Sequence, residues 1–174
     1  MNKGLLTIGG ITIFIIVGSI ALVSRQGTNG QMKKLSASFQ GDDAETISDS
    51  GVHWHPELAI YIKGQKQEIS KDIGIGVSFS NNPFYDSMMQ MTDIHTHDNS
   101  GVLHWEVMSG PVKKGHVKLK AFFGIWGKTF NSNQIFDYKN GDGGTVKMTV
   151  NGNPNTEFEN YIVKDKDKIE ISFE

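Results

Sequence analysis

Five of the six histidines in this chain of 174 residues fall in two short segments, at a spacing that is typical of metal sites. His53 and His55 belong to the segment HWHPE, and His95, His97 and His104 belong to the segment HTHDNSGVLH. Imidazole is the commonest metal ligand in proteins, and two histidines at i and i+2 on a strand point to the same face of the sheet. We therefore expect these five rings to bind a transition-metal ion.

The residue types leave the choice of metal between copper and zinc. The chain contains no cysteine, which excludes a type 1 copper centre and leaves imidazole as the main ligand. Imidazole binds both zinc and copper. Met88 and Met91 could add thioether ligands, which select Cu(I), although filling gaps in a core is an equally common role for methionine.

Four carboxylates in or next to the two segments, Glu57, Asp93, Asp98 and Glu106, are candidates for an additional ligand or for fixing the histidine tautomers. Three histidines and a water would give the open coordination of a metal-dependent hydrolase or oxidase, with Glu57 or Glu106 as general base. Four or more histidines would instead hold a closed structural ion.

Two interpretations without a metal stay open. The histidines and tryptophans could form the surface of an interaction module in the cell envelope, or the histidines could simply cover a solvated sheet face. Catalysis without a metal lacks its usual motifs, because the sequence contains no nucleophile elbow, phosphate-binding loop or dinucleotide fingerprint. We assign no role to His116, and the protein partner is unknown.

The first histidine pair precedes a segment with the alternating pattern of a half-buried strand. In HWHPELAIYIK, Leu58, Ile60 and Ile62 alternate with more polar residues. Proline interrupts strand pairing, so Pro56 indicates an edge strand or a bulge. If the alternation continues through this proline, the first two histidines and Glu57 share the face opposite the core.

The second histidine segment is predicted to form a tight hairpin around the turn sequence DNSG, residues 98–101. In that register His95 lies opposite His104 and His97 lies opposite Val102. Residues opposite each other in an antiparallel pair share a face, with Cβ atoms about 5 Å apart. A bulged loop would break this arrangement.

The rest of the domain is predicted to be scaffold. Leu119, Phe122, Phe123 and Trp126 recur at helical spacing, which predicts a short helix that ends at Gly127. The segments TVKMTVNG and KIEISFE alternate as a closing pair of strands, with a turn at residues 151–152. Together with the 20 glycines, these patterns predict a mainly β, α+β fold: a small antiparallel sheet or sandwich with one short helix.

The domain organisation follows from one long uncharged segment. Residues 4–24 carry no charge over 21 residues, which is enough for a transmembrane signal-anchor after a tail of residues 1–3. A cleaved signal peptide is the alternative. Residues 25–50 are predicted to be a flexible linker with solvated charges, and residues 51–174 the His-rich domain. We expect a single-pass protein with this domain on the extracytoplasmic side, and the net charge of -2 argues against nucleic acid as a partner.

Four segments together resemble a group of uncharacterised prokaryotic membrane-anchored proteins. They are HWHPELAIYIKG, IHTHDNSGVLHWE, FFGIWGKTF and VNGNPNTEFENYIVKDKDKIEI. These proteins carry a His-rich extracytoplasmic domain with the pattern HxH…HTHDxSG…H. The resemblance spans nearly all of residues 51–174, and the HTHDxSG hairpin is its most specific part. No activity is assigned to the group, so the resemblance implies that the domain is one unit and does not indicate its chemistry.

Overall fold

The computed structural model describes residues 41–174 of the chain. The predicted tail, the predicted membrane segment and most of the predicted linker lie outside the described residues. Within residues 41–174, no helix is long and apolar enough to cross a membrane.

The described residues form a mainly β domain with one α-helix, as the sequence predicted. The helix α1 spans Leu119–Trp126. Short 3-10 turns occur at Gly41–Ala44, Val77–Phe79, Lys114–Val117 and Phe158–Asn160. The strands are β1 Thr46–Ser48, β2 Val52–Trp54, β3 Glu57–Ile62, β4 Gln65–Gln67, β5 Tyr85–Asp86, β6 Met91–Thr92, β7 Ile94–His95, β8 His104–Val107, β9 Val112–Lys113, β10 Phe130–Asn131, β11 Gln134–Ile135, β12 Tyr138–Lys139, β13 Val146–Val150, β14 Asn153–Pro154 and β15 Lys168–Phe173.

A five-stranded sheet in the order β14-β13-β15-β3-β4 provides most of the scaffold. The predicted antiparallel pairing of β13 with β15 is confirmed. The pairing of β15 with β3 is parallel, so this sheet is mixed rather than purely antiparallel. Parallel neighbours require a long crossover, and strands β4 to β14 lie between β3 and β15 in the sequence. Leu58, Ile60 and Ile62 point into the core, as their alternation predicted.

A separate three-stranded sheet in the order β2-β8-β7 carries the histidines. Its apolar side contributes Ile94 and Trp105, which are fully buried. The indole N–H of Trp105 donates a hydrogen bond of 2.9 Å to the carbonyl of His116, which satisfies the polar atom of this buried ring. The core therefore fixes one face of the sheet and leaves the other face for the imidazoles.

Helix α1 forms where the aromatic spacing predicted it. Leu119, Phe122 and Phe123 are buried, and Trp126 packs against the same core. Gly127 ends the helix in the left-handed conformation at φ 70°, which glycine adopts at little cost. The helix contacts β7 and so supports the histidine sheet from the core side.

Residues 41–50, predicted to belong to the flexible linker, fold onto the domain. Strand β1 pairs with β9. Asp43, predicted to be solvated, is instead buried, and it forms ion pairs with Lys118 and with Lys120, the latter at 2.6 Å. The domain therefore begins before Gly51. No local pattern indicates this, because both lysine partners of Asp43 lie more than seventy positions further along the chain.

Replacing Asp43 by Asn should lower the free energy of unfolding at pH 7 by about 2–3 kcal/mol, because the change leaves the ammonium of Lys118 buried without its nearest carboxylate. Burial alone raises the pKa of Asp43, but hydrogen bonds from the two lysines outweigh it and hold that pKa below its ordinary value. The stabilisation is therefore complete above the ordinary aspartate pKa of about 3.9 and is lost as the pH falls through the lower folded-state pKa.

Urea unfolding of the full-length chain at pH 7 and near pH 3 measures both effects. Asp42→Asn is the matched control, because its side chain is 66% exposed and should matter far less. An Asp43→Asn variant as stable as the wild type at pH 7 would contradict the folded position of this segment.

Candidate metal centre

The pairing of β7 with β8 brings the second histidine segment together. Ile94 pairs with Trp105, and His95 pairs with His104, which confirms the predicted register at this point. The tight hairpin itself is absent, because residues 96–103 leave the ladder. The predicted pairing of His97 with Val102 is therefore wrong, and Val102 instead forms a bridge with Glu57.

Thr96 explains why the hairpin opens. Its N–H donates to the carbonyl of Ile73, and its own carbonyl accepts from the N–H of Asp72, both at 3.0 Å. The hydroxyl of Thr96 donates to the carbonyl of Ser70 at 2.8 Å. The chain after His95 is thus hydrogen-bonded to the 70–73 segment rather than to the returning strand.

The rings of His95, His97 and His104 nevertheless converge. One ligand nitrogen from each of them lies within 4.8 Å of the other two. The Nε2 atoms of His95 and His97 are 3.2 Å apart. The ring of His104 stacks on that of His95 with centroids 5.3 Å apart and meets that of His97 edge-on at 4.5 Å.

His95 is held in one orientation at the base of this group. The side chain is fully buried, and its Nδ1–H donates a hydrogen bond of 2.9 Å to the carbonyl of Thr92. This bond places the proton on Nδ1 and leaves the lone pair of Nε2 for His97 or an ion. Burial is the main cause that lowers the pKa of His95, so the ring is neutral at pH 7.

Gly74 makes room for the strand that carries this ring. A Cβ atom at position 74 would lie 2.6 Å from the carbonyl oxygen of Ile94 and 3.2 Å from the Cβ of His95. Gly74 also has a φ of +80°, which disfavours other residues. The glycine therefore permits the close approach of the 70–75 segment to β7.

Glu106 orients His104 from the neighbouring position on the same face of β8. The Nδ1–H of His104 donates a hydrogen bond of 3.0 Å to Oε1 of Glu106. Partial burial raises the pKa of Glu106, but the His104 hydrogen bond and the nearby histidine rings outweigh it and hold that pKa below its ordinary value. The carboxylate is thus ionised, and the bond leaves Nε2 as the free ligand atom of His104.

The first histidine pair approaches the same oxygen of Glu106. In the register of β2 with β8, His53 lies opposite Glu106. Oε1 of Glu106 is 3.6 Å from Nε2 of His53 and 3.8 Å from Nε2 of His55. The ring of His55 also meets that of His104 with centroids 4.8 Å apart. All five predicted histidines thus form one continuous cluster, and three of them approach the carboxylate of Glu106.

Glu57 lies apart from this cluster. Strand β2 ends before Pro56, and Glu57 begins β3 in the five-stranded sheet, where its N–H donates to the carbonyl of Asp167. The expectation that Glu57 shares a face with His53 and His55 is therefore wrong. The proline ends one strand, so the alternation does not continue from one sheet to the other.

The two aspartates take different roles. Asp98 is exposed, and hydrogen bonds from Ser100 lower its pKa, with smaller contributions from His104 and His97. Asp93 instead places Oδ2 3.2 Å from Nε2 of His116. The sequence assigned no role to His116, whose ring is buried and stacks on Phe84.

Methionine side chains lie beside the cluster, although not all of the predicted ones do. Met88 is 92% exposed. Met91 lines a small pocket of about 20 Å³ together with Met89 and Met108, and His95 and Glu106 form part of the same wall. That volume holds one water molecule or one ion. The sequence pattern does not indicate a role for Met108, because this residue lies outside the segment SMMQM.

Comparisons with protein families, characterised proteins and solved structures give no match for this chain. The chemistry of the cluster is therefore the basis for a functional proposal.

In the metal-free protein, His95 should carry its proton on Nδ1, because the Thr92 carbonyl can only accept a hydrogen bond. Long-range ¹H–¹⁵N spectra of the histidine rings distinguish the two tautomers by their nitrogen shifts. The exposed His53 side chain is the internal control and should show rapid tautomer exchange. A proton on Nε2 of His95 would contradict the described ligand geometry.

Proposed function

We propose that this chain is a membrane-anchored extracytoplasmic protein that binds a transition-metal ion, copper or zinc, through His95, His97 and His104. The observation that supports the proposal most strongly is the hydrogen bond from His95 to Thr92. It directs the deprotonated Nε2 of the fully buried His95 toward the Nε2 of His97.

The distances between the nitrogens suit coordination of one ion. Zinc binds histidine nitrogen at about 2.0–2.1 Å, so two nitrogens in a tetrahedral site lie about 3.3 Å apart. The Nε2 atoms of His95 and His97 are 3.2 Å apart. Little movement of these two rings is then required when an ion binds.

The surroundings of the ligands favour binding as well. A metal ion must compete with protons for imidazole, and the lowered pKa of His95 reduces that competition. The carbonyl of Thr92 and the carboxylate of Glu106 each accept a hydrogen bond from the nitrogen that faces away from the ion. Such outer hydrogen bonds orient the rings and make them better ligands.

The methionines favour copper over zinc. Thioethers are soft ligands that select Cu(I), and three of them line the pocket next to His95. Met89 and Met108 are 48% and 72% exposed, an unusual position for side chains whose usual role is to fill a core. A copper ion in either oxidation state would thus find suitable ligands on this face.

An enzyme is the second candidate. Three histidines leave a fourth coordination position for water, and His97 lies on the exposed side of the group. Glu106 would then act on the bound water as general base. If the ion is purely structural, it should bind no exchangeable water. Water-proton relaxation of the Cu(II)-loaded chain measures whether such a water is present.

The location is part of the proposal and depends on the uncharged segment at residues 4–24. Resistance of the full-length chain to extraction by alkaline carbonate tests the membrane anchor. Protease access from the outside of intact spheroplasts tests the orientation.

Replacing His97 by Ala should weaken Zn(II) binding about 100-fold, which corresponds to about 2.7 kcal/mol, because one of three ligands is lost. The side chain is exposed, so the fold should be unaffected. Calorimetric titration of the full-length chain measures the change. Asp98→Asn is the matched control at the next position in the same loop and should retain the wild-type affinity within a few-fold. Equal affinities of the two variants would contradict the site.

Replacing both Met89 and Met108 by Leu should weaken Cu(I) binding about tenfold or more and leave Zn(II) binding unchanged, because only the soft ion gains from a thioether. Leucine keeps the apolar volume. Competition with a chromogenic Cu(I) chelator under anaerobic conditions measures the first affinity. Met88→Leu is the control, since its side chain does not line the pocket. Unchanged Cu(I) affinity in the double variant would remove the reason for preferring copper.

A further inference from the structure

We infer that the cluster binds two ions rather than one, the second through His53, His55 and Glu106. This inference depends on the proposed function of the first group, because it assigns a partner ion to the same face. The observation behind it is that the six side chains divide into two groups of three, each with its ligand atoms within 4.8 Å of one another.

The distances in the second group allow coordination of one ion. Metal bonds to histidine nitrogen and to carboxylate oxygen are about 2.0–2.2 Å long, so two ligand atoms of the same ion lie about 3–4 Å apart. Oε1 of Glu106 lies 3.6 Å from Nε2 of His53 and 3.8 Å from Nε2 of His55. The donor set of two imidazoles and one carboxylate is one that both zinc and copper accept.

Glu106 also accounts for the proximity of two cations. Two divalent ions repel each other, and a negative group between them reduces that repulsion. The carboxylate lies between the groups: it accepts the hydrogen bond from His104 in the first group and approaches both histidines of the second. The two sites are thus connected through one ionised side chain.

The two sites should differ in affinity. His95 is fully buried and has a fixed tautomer, whereas the side chains of His53 and His55 are 65% and 40% exposed. Ordering exposed side chains around an ion costs conformational entropy. The first ion should therefore bind tightly to the group that contains His95, and the second should bind more weakly and exchange faster.

Titration of the full-length chain with Zn(II) tests the inference by stoichiometry. We expect two equivalents for the wild type and one for the double variant His53→Ala and His55→Ala, whose single remaining site keeps the affinity of the tighter wild-type site. Glu106→Gln should likewise lose the second equivalent. Glu57→Gln is the matched control, a carboxylate from the same segment but outside both groups, and should retain two. Circular dichroism and thermal melting confirm that each variant is folded.

The outcomes separate the inference from the proposed function. One equivalent in the wild type, lost on His97→Ala but unchanged by the double variant, would overturn the second ion and retain the first. Two equivalents in the folded double variant would also overturn it. Absence of binding in the wild type would overturn both. With two equivalents of Cu(II), electron paramagnetic resonance should show magnetic coupling between the ions, and the double variant should show none.

Discussion

The short pairing between β7 and β8 determines the arrangement of the whole cluster. It lasts for only two residues on β7, but it fixes His95 opposite His104 and turns Ile94 and Trp105 into the core. A shift of one residue would exchange the two faces and bury the wrong side chains. The pairing of β2 with β8 then adds the first histidine segment to the same face. Register in this small sheet, rather than any single contact, is therefore what brings five imidazoles together.

Burying an imidazole is unfavourable unless its polar atoms find partners. At His95 the Thr92 carbonyl satisfies one nitrogen, while the other faces His97. With this arrangement, binding of the proposed ion would be coupled to folding. An ion between these nitrogens would satisfy the remaining lone pair, and it would stabilise the folded chain because the ligands are brought together only there.

Much of this arrangement could be predicted from the sequence. Alternation identified β3, aromatic spacing identified α1, and the turn sequence placed His95 opposite His104. The failures have physical causes that a local pattern does not contain. Pro56 separates two strands of different sheets, so the alternation of faces through His53 and His55 does not continue to Glu57. The backbone of Thr96 pairs with residues 72–73, which opens the predicted hairpin. The ion pairs of Asp43 and the position of Met108 beside the cluster depend on contacts between residues that are distant in sequence.

The most direct test of the central claim is X-ray absorption spectroscopy of the full-length chain loaded with one equivalent of Zn(II). We expect three imidazole nitrogens at about 2.0–2.1 Å, identified by the multiple scattering of the outer ring atoms. Replacing His95 by Ala should remove part of that scattering. A first shell of oxygen ligands alone, without imidazole scattering, would show that the clustered rings do not bind the ion.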